Sequence, residues 1–299
     1  MKKKFFVAIA AILILACGCF QNQSSTDDVT QKKSSVEAAD FFAGMDESVE
    51  RILNDGSEYA VYLAYPARTS EIYTYNSTQM RSASMIKVFI LAAIMEKVEQ
   101  GEISLDKEIV LLGSDKVGGA GILSGYQSGE SFSLREILKL MITHSDNTAT
   151  NIAIDQIGMN AINDYIQRNG YSDTVLRRKM MDIDAINAGI ENYSSVKDLG
   201  DIFLKIYNFQ CVNATYDAIM IDFLQEQTDD ECFPAALPDK VVAHKTGALV
   251  GLFDDGGIIY DKDGDDVILV IMTENFAGES TVINSMKKFA AYAVYDFGR

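Results

Sequence analysis

Ser84-Met85-Ile86-Lys87 places a hydroxyl and an amine three residues apart, directly ahead of the apolar run Val88 to Met95. A serine hydroxyl is a weak nucleophile at neutral pH until a base lies within hydrogen-bond reach, and on a helix the residue three positions on shares its face. The lysine can serve only if desolvation or nearby positive charge lowers its pKa, and the run that follows would bury the helix carrying it. Two more short patterns lie further along, Ser145-Asp146-Asn147 and Lys245-Thr246-Gly247. Alone, each has a plainer reading as a helix start, an N-cap or a strand end. Together they describe acyl transfer to Ser84, with Lys87 as base and Ser145 relaying a proton to the leaving nitrogen. Lys245 would keep the local potential positive and pair with a substrate carboxylate, which Thr246 can also bond. Asn147 offers an amide to the substrate and can orient Lys87, while Gly247 leaves room for an acyl group along a strand edge.

Other chemistries fit less well. His144 and His244 are the only histidines, and no serine stands in a G-x-S-x-G context, so a Ser-His triad is not supported. The glycines of Val117 to Leu123 have neither dinucleotide nor P-loop spacing and read as a backbone bend. No His/Cys/Asp set has ligand spacing, so neither a metal nor an organic cofactor is expected. Met180 and Met181 read as core filler. A net charge of -17 argues against a nucleic-acid partner, which requires a basic face.

In this order and separation, the three patterns resemble those of the class A β-lactamase family of active-site serine hydrolases, over about residues 36–299. Thr148-Ala149-Thr150-Asn151, Asn192-Tyr193-Ser194-Ser195 and the His244 prefix to the third pattern add to the likeness. The resemblance implies a β-lactam or cell-wall peptide as substrate, a monomer, and an oxyanion held by the backbone amides of Ser84 and Ala248. It fails at one place. The family's Glu-x-x-Leu-Asn loop, whose glutamate activates the deacylating water, is replaced by Arg177-Arg178-Lys179-Met180-Met181-Asp182-Ile183-Asp184. Asp182 is the nearest substitute, with Asp184 and Glu191 behind it, although aspartate is a methylene short and misplacing a base is costly. A slow β-lactamase is therefore expected, with a D-Ala-D-Ala peptidase-like enzyme or a non-catalytic cell-wall-binding module as alternatives.

The elements needed to position these groups can be read from periodicity. Helical spacing covers Val36 to about Asn54, strands cover Tyr59 to Tyr65 and Glu71 to Tyr75, and amphipathic helices fill much of the middle from Leu134 to about Leu224. Strand character returns at Val241 to Gly247, Gly256 to Tyr260 and Val267 to Thr273, ahead of a helix over about Ser280 to Tyr295. The expected fold is α/β (α+β): an antiparallel sheet built from both chain ends (36–83 and 235–299), flanked by helices, with an inserted helical lobe (84–234). Ahead of it, residues 1–19 pair a basic start with an apolar run ending in Leu15-Ala16-Cys17-Gly18-Cys19, a pattern resembling a lipoprotein signal, with Cys17 or Cys19 lipidated. Residues 20–35 are polar and read as a tether. The expected location is the outer face of a bacterial membrane, lipid-anchored, or outside the cell. There Cys211 and Cys232 could pair or remain thiols.

Overall fold

A computed structural model describes residues 41–276 and 278–297. The export segment, the tether and the choice between Cys17 and Cys19 lie outside the described residues. Among the described residues the first helix is α1 (Met45–Ile52); residues 41–44, where helical spacing was also expected, form a turn in which Gly44 takes φ 78. The hairpin β1 (Glu58–Ala64) and β2 (Ile72–Tyr75) follows, then β3 (Met80–Arg81) and a single 3-10 turn, Ala83–Met85, that runs into α2 (Ile86–Glu99). A small ribbon of β4 (Glu108–Val110) and β5 (Ser131–Ser133) leads to α3 (Leu134–Thr143) and α4 (Asn147–Ile157). Next come α5 (Met159–Arg168), α6 (Ile183–Asn187), β6 (Tyr193–Ser194), α7 (Val196–Tyr207), α8 (Ala214–Gln225) and α9 (Phe233–Ala236). The chain returns through β7 (Val241–Leu249), β8 (Leu252–Tyr260) and β9 (Val267–Glu274) to α10 (Glu279–Ala291).

Five strands form one antiparallel sheet in the order β2-β1-β9-β8-β7, joining the two ends of the described chain as the sequence predicts. The sheet is covered on both faces, which explains why β1 and β9 read as nearly continuous apolar runs. Ala60, Tyr62 and Ala64 of β1 face a core shared with α2, α3, α4, α5, α7 and α8. Tyr59, Val61 and Leu63 face a second core with α1, α9 and α10.

Helix α2 lies at the centre of the larger core. Every residue from Ile86 to Met95 is buried, Lys87 included, so this helix is enclosed on all sides rather than striped. Helix α3 starts at a reciprocal capping box, Ser133 Oγ accepting from Glu136 N–H while Glu136 Oε2 accepts from Ser133 N–H. Helix α7 reaches the sheet because Gly200 has no side chain, since a Cβ there would sit 2.2 Å from the Tyr62 ring.

The bridge between Cys211 and Cys232 is not formed. Both are free thiols. They pack against different cores, Cys211 Sγ lying 3.3 Å from the Tyr165 hydroxyl while Cys232 is buried beside the sheet's other face.

Candidate active site

The Ser84 turn is held from both sides. Met85 N–H donates to Ser82 O at 2.8 Å, and Ser82 N–H donates to Asn192 O at 2.9 Å. Ala83 takes φ 40, a left-handed conformation that costs a non-glycine residue on the order of 1 kcal/mol and needs surrounding structure to hold it. Part of that support is strand β7. A Cβ on Gly247 would stand 3.1 Å from Met85 Cγ, 3.2 Å from Ala83 Cβ and 3.3 Å from Ser82 O. The room predicted at Gly247 is thus taken by the turn that presents Ser84, and Gly247 does not line the cavity beside it.

The second pattern sits between α3 and α4. Asp146 caps α4, its Oδ1 accepting from Ala149 N–H at 2.8 Å. Its Oδ2 accepts from the Ile122 and Leu123 amides, both at 2.6 Å, and so ties down the glycine loop. Gly121 takes φ 115 there, and a Cβ on it would overlap the Asp146 carboxylate at 2.3 Å. The bend expected of these glycines is real, and its purpose is close approach to Asp146. Just ahead of that cap, Ser145 takes φ 50, which turns its hydroxyl and its carbonyl toward the same partner.

That partner is Lys87. Its Nζ bonds Ser145 O at 2.6 Å, Ser145 Oγ at 3.2 Å and Asn147 Oδ1 at 3.1 Å. Lys245 Nζ reaches the same hydroxyl at 3.0 Å and also donates to Thr246 O at 2.8 Å. Two fully buried amines therefore meet on one serine hydroxyl. Burial pushes Lys87 well below the usual lysine range, and the neighbouring Lys245 charge pushes it further down, against a smaller pull upward from Asp146. Burial also brings Lys245 down to about 8, resisted by the carboxylates of Asp229 and Asp255. A neutral Lys87 can accept a proton, and a charged Lys245 can hold an anion. Ser145 can pass a proton between them.

A cavity of about 210 Å³ opens onto Ser84, Asn147 and Ala248, and the glycine loop and the 178–192 segment complete its walls. Lys87, Ser145, Lys245 and Thr246 form the hydrogen-bonded cluster that joins it through Asn147. The Asn147 amide is fixed in turn, its Nδ2 donating to Gly118 O at 3.1 Å. Of the expected set, Ser84, Asn147 and Ala248 line the opening, Lys87, Ser145, Lys245 and Thr246 stand in the cluster bonded to Asn147, and Gly247 and Asp182 do neither.

Asp182 requires correction as the deacylating base. It is exposed, caps α6 by accepting from Ala185 N–H at 3.1 Å, and does not line the cavity. Asp184 is also exposed, in the first turn of α6. Glu191 does line the cavity, but Arg178 holds it, Nη2 to Oε2 at 2.6 Å. Asn192 braces this segment by accepting from the Arg177 and Arg178 amides and donating to Arg178 O. Met180 packs in the larger core, as read from the sequence, and also reaches the wall, whereas Met181 is exposed there. Both peptide groups of Met180 are clamped by Asn151, Oδ1 taking its N–H at 2.8 Å and Nδ2 giving to its C=O at 2.9 Å.

Neither histidine reaches the cavity, for His144 bonds Thr143 and His244 bonds Asp255 at 2.7 Å. Two features escaped the sequence reading, the engagement of Glu191 by Arg178 and the contact of Asp229 with Thr246. No spacing rule links either pair, since each is made by loops folding back.

Residues 45–297 match the model of a family described as the beta-lactamase enzyme family. The extended-spectrum beta-lactamase PER-1 of Pseudomonas aeruginosa is 25% identical over 227 residues, covering 72% of this chain and 74% of the relative. Among solved structures, a beta-lactamase from Sphaerobacter thermophilus superposes with a TM-score of 0.76 at 26% identity, over 84% of this chain and 97% of that one. PBP-A shares the fold with a TM-score of 0.77 at 22% identity, over 84% of this chain and 94% of its own.

Proposed function

Because this chain belongs to the beta-lactamase enzyme family, we propose that it opens the β-lactam amide through an acyl-enzyme on Ser84 that is slow to hydrolyse. The family and the relatives named above support β-lactam hydrolysis as the reaction class. In the proposed sequence Ser84 Oγ attacks the carbonyl carbon while its proton passes to neutral Lys87, directly or through water. The backbone amides of Ser84 and Ala248 hold the oxyanion. As the C–N bond breaks, the ring nitrogen takes a proton from the Ser145 hydroxyl, which is made good from the lysine pair, leaving an ester on Ser84. The observation that carries this reading is the meeting of Lys87 and Lys245 on Ser145 Oγ beside the Ser84 cavity.

The cavity wall supports slow deacylation. Its one carboxylate among the described lining residues, Glu191, is tied through Oε2 to Arg178, which favours a strut over a general base. The same observation favours a second reading, a penicillin-binding, D-Ala-D-Ala peptidase-like enzyme. Intact-mass time courses with benzylpenicillin and a chromogenic cephalosporin separate them. An adduct that decays to free enzyme means hydrolase, and a stable adduct with D-alanine released from a peptide means peptidase. Neither adduct nor turnover would overturn both. The N-terminal pattern ending in Cys17 and Cys19 supports a lipid anchor on the outer membrane face. Mass analysis of the native N-terminus for a diacylglyceryl cysteine tests it.

A further inference from the structure

An acid already stands at the seat proposed for a substrate carboxylate, Lys245 with Thr246. Thr246 Oγ1 donates its proton to Asp229 Oδ2 at 2.8 Å. That placement is built, because the loop carrying Asp229 is fastened at both ends. Gln227 Nε2 donates to Ile142 O at 3.0 Å, and Thr228 N–H and Oγ1–H donate to Thr143 O at 3.0 and 2.8 Å. Those carbonyls end α3, two or three residues before Ser145. At the other end Phe233 N–H donates to Asp255 Oδ2 at 3.0 Å, and Asp255 is held by His244 of β7. Between these anchors Asp229 N–H donates to Gln227 Oε1 at 3.1 Å. One fastening is therefore to the helix that leads into Ser145, and the other is to β8, which His244 ties to the strand carrying Lys245.

We propose that Asp229 sets the charge preference of the site, occupying the hydroxyl of Thr246 with its own carboxylate and so favouring acyl substrates that are neutral at this position. This rests on the assignment of Lys245 and Thr246 as the anion seat under the acyl-enzyme reading. A hydroxyl has one proton to give, and Asp229 takes it. A substrate carboxylate placed beside Thr246 would lose that bond and face a like charge in a partly desolvated site, which is strongly unfavourable. An ester or amide at the same place brings no charge and can bond through its carbonyl to Lys245. The substrate class that fits is thus an acyl donor whose group near Thr246 is masked, as an amidated peptide terminus is.

The test compares benzylpenicillin with its methyl ester, which differ by one charge. The wild-type protein is expected to acylate faster with the ester, and high salt is expected to narrow the gap. Asp229→Asn keeps a carbonyl to accept from Thr246 but also withdraws a carboxylate that holds the Lys245 pKa up. It is therefore compared with wild type on the acid side of its own alkaline limb, where acylation by benzylpenicillin is expected to rise at least about tenfold relative to the ester. Equal effects on both probes, or none, would overturn the proposal. Asp229→Ser, which removes the same charge, decides the matter if Asp229→Asn does not fold. Equilibrium binding of both probes to Ser84→Ala protein, with and without Asp229→Asn, reads the same preference without chemistry. Charge-selective binding there, with no acylation of the wild-type protein, would overturn the acyl-enzyme reading and keep this inference; no charge selectivity in binding would overturn the inference even if acylation occurs.

Discussion

Arg178 and Glu191 meet in the wall of the Ser84 cavity with guanidinium Nη2 2.6 Å from carboxylate Oε2, and Arg178 Nε shares the same oxygen at 3.2 Å. The side chains are only 8% and 18% exposed, so the pair is shielded from water on most sides. Arg178 Nε also donates to Ile190 O, which locks the fork in place. Both bonds fall on Oε2, so Arg178 fixes where this carboxylate sits and the pair acts as a strut in the wall.

Glu191→Gln is therefore expected to leave the lifetime of the Ser84 adduct unchanged while lowering stability by about 1–3 kcal/mol, since Arg178 would lose a charged partner in a mostly buried position. Adduct decay followed by mass, together with urea denaturation, checks both parts. A marked slowing of decay would instead make Glu191 a participant in deacylation.

Met180→Glu is expected to shorten the adduct lifetime. The Met180 peptide is clamped on both sides by Asn151, and its side chain lines the cavity at 8% exposure. A carboxyl introduced there would be pushed up by burial, toward the range that suits a general base near neutrality. Single-turnover decay of the benzylpenicillin adduct measures the effect, and an unchanged rate would place the water elsewhere.

Acylation by carboxylated substrates is expected to be bell-shaped in pH. Lys87 must be neutral to accept a proton, so the rate falls as pH drops through its lowered pKa. Lys245 must stay charged to hold an anion, so the rate falls again as pH rises past about 8. The two limbs belong to a coupled pair and are read as macroscopic values. An ester substrate should lose the alkaline limb, and Lys87→Ala should remove the acid limb along with about 10²–10⁴-fold in rate. Stopped-flow acylation across pH 5–10 tests each limb.

Asp254→Asn is expected to stabilise the fold, and more so at higher pH. Burial holds this carboxyl well above the ordinary range, and Glu274 adds to the effect. One oxygen accepts from Thr273 N–H, while the other has no partner among the described residues. The folded chain then keeps a proton that the unfolded chain gives up above about pH 4, so native protein binds more protons and stability falls as pH rises. An asparagine carries no such proton and can still accept from Thr273. Thermal unfolding at pH 5 and pH 8 should show the gain widening with pH; a constant gain would rule the linkage out.

Much of this was legible in the sequence where local pattern and packing agree. The limits of α3 at Leu134 and Thr143 follow from the Ser133 capping box and an apolar stripe, and both cores repeat the alternation in β1. Strand β8 was read as starting at Gly256, yet it starts at Leu252, because two adjacent aspartates argue against a strand until their partners are known. Asp255 is matched by His244 and the Phe233 amide, and burial pushes the Asp254 carboxyl well above the ordinary range. The nucleophile, its lysine and the two later patterns could be found because spacing encodes them. Asp229 could not, for its meaning depends on a loop fastened to Thr143 and Asp255, and neither contact leaves a mark in the order of residues.

Strand β1 pairs along its whole length with β9, Glu58 opposite Glu274 through Ala64 opposite Ile268, although over 200 residues separate them. During synthesis, then, the apolar strand Tyr59 to Ala64 emerges from the ribosome long before its central partner exists. Because β2 pairs with the opposite edge of β1, the edge that β9 will take has no strand partner in the nascent chain until β9 arrives, and such distant pairing is slow to form. A chaperone that holds extended apolar segments would find its target there, and translation arrested before β9 should leave a protease-sensitive chain in place of a smaller folded one.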